Sequence, residues 1–240
     1  MSLSKPKLQN PCEKWIRFKG STGTFGYWDK EQEEEVELSL PLKFIVLDEL
    51  IKVSGYNKQS NSGIFSNEVR STRDEELHVR TFKGVDELRG YYCDIKDSIK
   101  SLGGKFTKSI YAALITDDGL EMVNFEMRGA AFSEWLKWSK RKMFDQLIVT
   151  ITGSKEGSNG GIVYKMPVFG TMFMDKQLLE KALDMDRELQ NYLAKREDDK
   201  ADDDVVTVHA EDDILKPREE DSPAPEPVAL EDEIDDDLPF

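Results

Sequence analysis

The chain has 240 residues, enough for one large domain or two small ones, with a hydrophobic fraction of 38% and a charged fraction of 34%. Its net charge of -15 would by itself argue against a nucleic-acid ligand, but residues 197–240 hold 19 acidic residues against Lys200, Lys216 and Arg218, a net of -16, which leaves 29 acidic and 30 basic residues in 1–196, a net of +1. Two distant cysteines, Cys12 and Cys93, exclude a disulfide framework, His78 and His209 are too few for a structural zinc site, no apolar run approaches the ~20 residues of a membrane span, and Met1–Lys7 lacks the apolar core of a signal peptide.

In chain order, the segment from Trp15 to Trp28 mixes aromatic residues with Arg17 and Lys19 in a glycine-rich, flexible setting. Val36, Leu38, Leu40, Leu42, Phe44 and Val46 alternate on one face of a single strand, and Pro41 within it marks an edge or a bulge. A second strand over 77–82 sets Leu77, Val79 and Thr81 against His78, Arg80 and Phe82. Val85, Leu88, Tyr92, Ile95, Ile99 and Leu102 repeat at helical spacing, and Gly103-Gly104 ends that helix. Residues 106–116 and 120–128 read as a hairpin turning at Asp117-Asp118-Gly119. A helix over about 129–143 buries Phe132, Trp135 and Leu136. Two further strands, 146–152 and 161–173, are joined by a polar, flexible loop over 153–161, and a helix over 175–195 carries a stripe of leucines. About seven short strands with interspersed helices predict an α+β domain, mostly antiparallel β, spanning 1–196. Pattern alone leaves a Greek-key barrel and a sandwich both open. Residues 197–240, acidic and proline-containing with little apolar surface, read as a disordered tail.

The residues give catalysis little to work with. No phosphate-binding loop of the Gly-x-x-x-x-Gly-Lys-Ser/Thr type occurs, Gly20–Gly26 lacks the strand–turn–helix setting of a dinucleotide fingerprint, and Glu33–Glu35 and Asp74–Glu76 read as solvated charge. His78, the sole histidine of 1–196, has no evident nucleophile beside it. We therefore expect no enzyme, no catalytic residue, no metal and no cofactor.

A binder of single-stranded nucleic acid needs cations along the phosphates and exposed aromatic faces for the bases. Tyr27, Trp28, Lys43, Tyr56, Lys58, Phe65, Arg70, Arg73, Arg80, Phe82, Lys83, Lys105, Phe106 and Lys108 interleave these two types and are the candidate contacts. Phe132 and Trp135 are expected in the core.

The chain ends Asp235-Asp236-Asp237-Leu238-Pro239-Phe240. An acidic tail has no solubility reason to end on apolar residues. Proline stiffens the segment, and Phe240 offers a ring and a free carboxylate to a pocket with an apolar floor and a basic rim. This ending resembles the C-terminal tip of bacterial single-stranded DNA-binding proteins. Gly55-Tyr56, Ser62–Val69, Leu77–Arg80, Tyr92–Asp97 and Met166–Val168 resemble a family of phage and prophage single-stranded DNA-binding proteins, over most of 36–170. The resemblance implies an oligonucleotide/oligosaccharide-binding (OB) barrel with a five-stranded core and helical insertions. It also implies sequence-independent DNA binding in phage replication and recombination, in the host cytoplasm. Replication and repair proteins would read residues 235–240, while the tail competes with DNA for the basic groove. A recombination annealing protein is the alternative reading, and a metal-dependent nuclease a more distant one. Differences in length from the short bacterial proteins mean that their tetramer is not carried over.

Overall fold

A computed structural model describes residues 8–84 and 87–202, with 197–202 by backbone alone; the rest of the tail expected to be disordered, with the expected partner-binding tip at 235–240, lies outside the described residues. Among them are eleven strands and three helices: β1 (Lys14–Lys19), β2 (Thr24–Asp29), β3 (Glu34–Leu38), β4 (Leu42–Asn57), β5 (Ser62–Ser66), β6 (Leu77–Thr81), β7 (Glu87–Gly90), α1 (Tyr92–Leu102), β8 (Gly104–Thr116), β9 (Gly119–Arg128), α2 (Gly129–Ser139), β10 (Leu147–Asn159), β11 (Ile162–Phe173) and α3 (Lys176–Asp202). The α+β class is as the sequence predicts. The strands form one mixed sheet in the order β3-β2-β1-β9-β8-β4-β5-β6-β7, with β10 also on β4 and β11 on β10. All pairs are antiparallel except β1 with β9.

The 16-residue β4 organises this sheet. One of its edges runs along β8 from Phe44 to Gly55, while the other is shared, Leu42–Ile45 pairing with β10 and Ser54–Asn57 with β5. Register shifts at Val46/Asp48 in β4 and at Ile151/Gly153 in β10 bend the two strands, as bulges do. The sheet curls until the carbonyl of Gly20, after β1, accepts a hydrogen bond from the Lys165 N–H of β11 at 2.8 Å. No ladder joins these two ends, so the sheet is open and the barrel is not closed.

Alternation along the strands defines two faces. On the first, Ile16, Phe25, Phe44, Ile110, Val123, Phe125, Val149 and Ile151 enclose a core with Phe132 and the fully buried Trp135 of α2. The same face continues beneath the far half of β4, where Ile51, Val53, Ile64, Val69, Leu77 and Val79 pack on Ile99 of α1. Burying a large apolar side chain contributes about 1.5–3 kcal/mol, so these two clusters dominate the cohesion of the fold. The second face is covered over part of its area by α3, whose Ala182, Leu189 and Leu193 meet Ile45, Ala113, Leu50, Tyr111 and Met122.

Several sequence expectations change here. The single strand over 36–46 is two: it breaks at Ser39–Pro41, where Leu40–Pro41 is cis, and β3 lies at the end of the sheet while β4 lies in its middle. The alternation assigned the sides of Val36, Leu38, Leu42, Phe44 and Val46 correctly, since all lie on the first face by register, but Leu40 falls in the break and is exposed. The helix expected from Val85 begins at Tyr92, and Leu88 belongs to β7, because short strand and helix patterns overlap in an apolar run of this length. The expected 153–161 loop is strand up to Asn159. Gly160 and Gly161, both at positive φ, make the tight turn, so polar residues form an extended two-stranded arm. The glycine-rich 15–28 segment is the β1/β2 hairpin, ordered by its ladder. Finally, α3 continues past the predicted boundary at 196 to Asp202. Among the described residues no helix is long and apolar enough to cross a membrane.

Candidate nucleic-acid interface

Cross-strand register shows which side chains share the second face. On β1 and β2 it carries Trp15, Arg17, Lys19 and Trp28, because Arg17 stands opposite Gly26 and Glu126. On β4, β8 and β9 it carries Lys52, Ser54, Lys105, Thr107, Glu126 and Arg128, through the pairs Lys52–Thr107, Ser54–Lys105 and Thr107–Arg128. Tyr56 follows by alternation, and Phe65 and Arg80 through the pairs Ser54–Phe65 and Phe65–Arg80. Phe82, just past β6, packs on Phe65 with ring centroids 4.8 Å apart. An aromatic group at β1–β2 and another at β4–β6 thus flank a strip of Arg17, Lys52, Lys105 and Arg128. The two groups are three strand spacings apart at their near edges, β1 to β4, and six at their far edges, β2 to β6, about 14 to 29 Å across a flat sheet.

Beneath the strip lies a network of buried charge. The Glu126 carboxylate meets Arg17 Nε at 2.6 Å, Lys52 Nζ at 2.7 Å and Arg128 Nη2 at 3.9 Å. Burial pushes this carboxyl up, but Arg17, Lys52 and Arg128 outweigh it and hold the group well below the ordinary carboxylate range. Glu68 sits nearby under α3. It meets Arg196 at 2.6 Å and accepts hydrogen bonds from the Ser109 hydroxyl at 2.5 Å and the Tyr111 hydroxyl at 2.7 Å, while Lys52 Nζ is 3.8 Å away. Burial again pushes up, and the charges of Arg196 and Lys52 with the two hydroxyls bring its pKa down to about 2. Six charged groups with a net of +2 therefore lie together on this face, and Arg17 and Arg128 still expose 34% and 30% of their side chains.

The residues picked from sequence divide between the two faces. Trp28, Tyr56, Phe65, Arg80, Phe82 and Lys105 lie on the second face, Trp28 at the β1–β2 end and the others at or beside β4–β6. Tyr56 donates its hydroxyl to Asn61, Arg80 meets Glu87 at 3.1 Å, and Lys83 donates from Nζ to the Ser60 carbonyl at 3.0 Å beside this group. Lys58 and Arg73 are exposed in neighbouring turns, and Lys43 is exposed at the start of β4. Arg70 makes a two-point pair with Asp48 at 2.7 and 2.8 Å. Three picks fall on the first face. Tyr27 packs against the core with Lys14 Nζ 5.1 Å from its ring centre. Phe106 lies between the two cores, 4.7 Å from Tyr92 and 5.5 Å from Phe132. Lys108 is buried, 3.5 Å from Glu49, which also accepts the Trp135 Nε1–H bond at 2.6 Å. These three support the core, because a one-residue step along a strand reverses the side a residue serves. Lys52 and Arg128 are the face residues that sequence missed, and Trp15 and Arg17 stood out only as members of the 15–28 segment; register partners distant in sequence place all four on this face.

Among the described residues no group of three or more His, Cys, Asp or Glu side chains is placed to hold a metal ion. Comparisons with protein-family models, with curated proteins and with solved structures returned no match.

Proposed function

We propose that the chain is a non-catalytic, sequence-independent single-stranded DNA-binding protein, and that the second face of its sheet is the binding surface. The observation that carries this reading is the gathering of Trp15, Trp28, Tyr56, Phe65 and Phe82 around Arg17, Lys52, Lys105 and Arg128 on the face opposite the main cores. Aromatic faces stack on any base and cations follow any phosphate, so the pairing gives affinity without reading sequence. A span of about 14 to 29 Å suits several nucleotides, whose bases would stack at both ends with phosphates crossing the strip. Many cations of the face have carboxylate neighbours, as in Lys19–Glu35 at 2.8 Å, so DNA phosphates would take over partners already in place. We read the curled sheet as an OB barrel left open between β1 and β11.

The acidic residues of 197–240 would compete with DNA for the strip. Residues 235–240 would then be released to replication and repair partners as phosphates displace the tail. This part of the reading is supported by the sequence of the tail and by α3, which precedes it and covers part of the face that carries the strip.

The test is fluorescence anisotropy of labelled single-stranded DNA, duplex DNA and RNA of equal length across a salt series. Tightest binding to single-stranded DNA, weakening as salt rises, is expected; preference for duplex overturns the reading. A chain ending at residue 202 should bind single strands more tightly, most of all at low salt. Equal affinity with and without the tail removes the competition.

A further inference from the structure

Glu126 is an acidic side chain at the centre of a surface whose proposed ligand is an anion, with Glu68 beside it. Electrostatics alone would make it a liability for binding phosphate. Its geometry gives it another role. The carboxylate is enclosed, 5% exposed as a residue, and contacts three cations drawn from three different strands: Arg17 of β1, Lys52 of β4 and Arg128 of its own strand β9. Three like charges so close together repel one another, and long side chains lose entropy when held in one geometry. A buried anion between them offsets both costs. Arg17 and Arg128 each keep about a third of the side chain exposed, while Lys52 keeps 14%. The atom of Arg17 that meets the carboxylate at 2.6 Å is Nε.

Resting on the reading of this face as the single-stranded DNA surface, we propose that Glu126 is a positioning residue that holds Arg17, Lys52 and Arg128 together as one preformed phosphate-binding strip. Glu68 differs from it in surroundings: its strongest partner is Arg196, on the helix that covers that part of the sheet. The two carboxylates therefore make an internal control, since neutralising either one changes net charge by the same amount.

The experiment measures the affinity of full-length protein for an oligothymidylate over a salt series, with folding checked by thermal unfolding. Glu126→Gln makes the protein more positive, yet binding should weaken about tenfold and the log–log salt slope should become shallower by about 0.7–1.4, the loss of one or two phosphate contacts. Glu68→Gln, whose carboxylate reaches only Lys52 of the strip, at 3.8 Å, should change the slope less than Glu126→Gln does. Tighter binding by E126Q, or an equal change of slope in E68Q, overturns the proposal. Should E126Q fail to fold through its unpaired buried cations, E126Q/K52M removes one positive and one negative charge and relieves them; binding and slope like wild type in that variant overturn the proposal. Arg17→Gln and Arg128→Gln, at partly exposed positions, should each reduce the slope by about 0.7, and unchanged slopes in both overturn it in any background. If the wild type itself does not bind the oligonucleotide, the proposed function fails, separately from this inference.

Discussion

Replacing Arg196 with alanine removes the main partner of an almost fully buried carboxylate, and the consequence depends on pH in a way that can be worked out. Arg196 meets Glu68 at 2.6 Å, and the side chains expose 22% and 8%. Deleting one member of a buried pair costs about 3–5 kcal/mol at neutral pH, because the survivor is left charged and poorly solvated. In the wild type, Glu68 is held at about 2 against an ordinary 4.5. A depressed carboxyl contributes stability that is fully present above the unfolded value, 4.5, and is lost as pH falls towards 2. That contribution is about 3 kcal/mol at pH 7, and about 1 kcal/mol of it is gone by pH 3.5. In R196A the burial effect is no longer offset by the guanidinium, so the folded pKa rises and the variant recovers stability as Glu68 takes up a proton. The gap between the two proteins should therefore be about 3–5 kcal/mol at pH 7 and narrower by at least about 1 kcal/mol at pH 3.5. Urea unfolding followed by tryptophan fluorescence, with Trp135 as a buried reporter, measures both gaps. A gap that stays constant or widens as pH falls would refute the coupling of Arg196 to Glu68.

Other substitutions test the fold and the division of its faces. Trp135→Phe keeps the ring but removes the donor to Glu49, so it should cost about 1–3 kcal/mol in the same urea experiment. Gly103 caps α1 at φ 93°, and an added Cβ would lie 2.5 Å from the Tyr56 carbonyl oxygen; Gly103→Ala should cost more than about 1 kcal/mol and lower the melting temperature. Phe65→Ala and Phe106→Ala separate binding from packing. The first should weaken single-stranded DNA binding by about tenfold with a stability change under about 1 kcal/mol, since stacking contributes ~1–3 kcal/mol per base. The second, set between two cores, should lose about 2 kcal/mol or more of stability.

What the sequence disclosed follows from which signals are local. The β8/β9 hairpin could be read because two runs of alternating residues flank an Asp117-Asp118 turn, and turn chemistry is a property of adjacent residues. Phe132 and Trp135 could be placed in the core because helical spacing puts them on one side of α2. The parity of Val36, Leu38, Leu42, Phe44 and Val46 was right because alternation along a strand is also local, although the break at Leu40–Pro41 left Leu40 exposed and sent the two halves to distant places in the sheet. Pairing of distant strands leaves no local trace. The parallel contact of β1 with β9 brings Arg17 to Glu126 across 109 residues, and nothing near Arg17 in sequence announces it. The same blindness put Phe106 and Lys108 among the candidate contacts: a basic residue beside an aromatic one reads alike on either face of a strand. Composition identified the kinds of residue that a single-strand binder needs, while the register of β4 against β8 decided which of them share a surface.

The account's central claim is that single-stranded DNA lies on the second face of the sheet, and ultraviolet cross-linking of the full-length protein to an oligothymidylate, with cross-linked residues located by mass spectrometry, tests it most directly. Cross-links at Trp15, Trp28, Tyr56, Phe65 or Phe82 are expected; cross-links confined to the first face or to the outer side of α3, with none at these five residues, would contradict it.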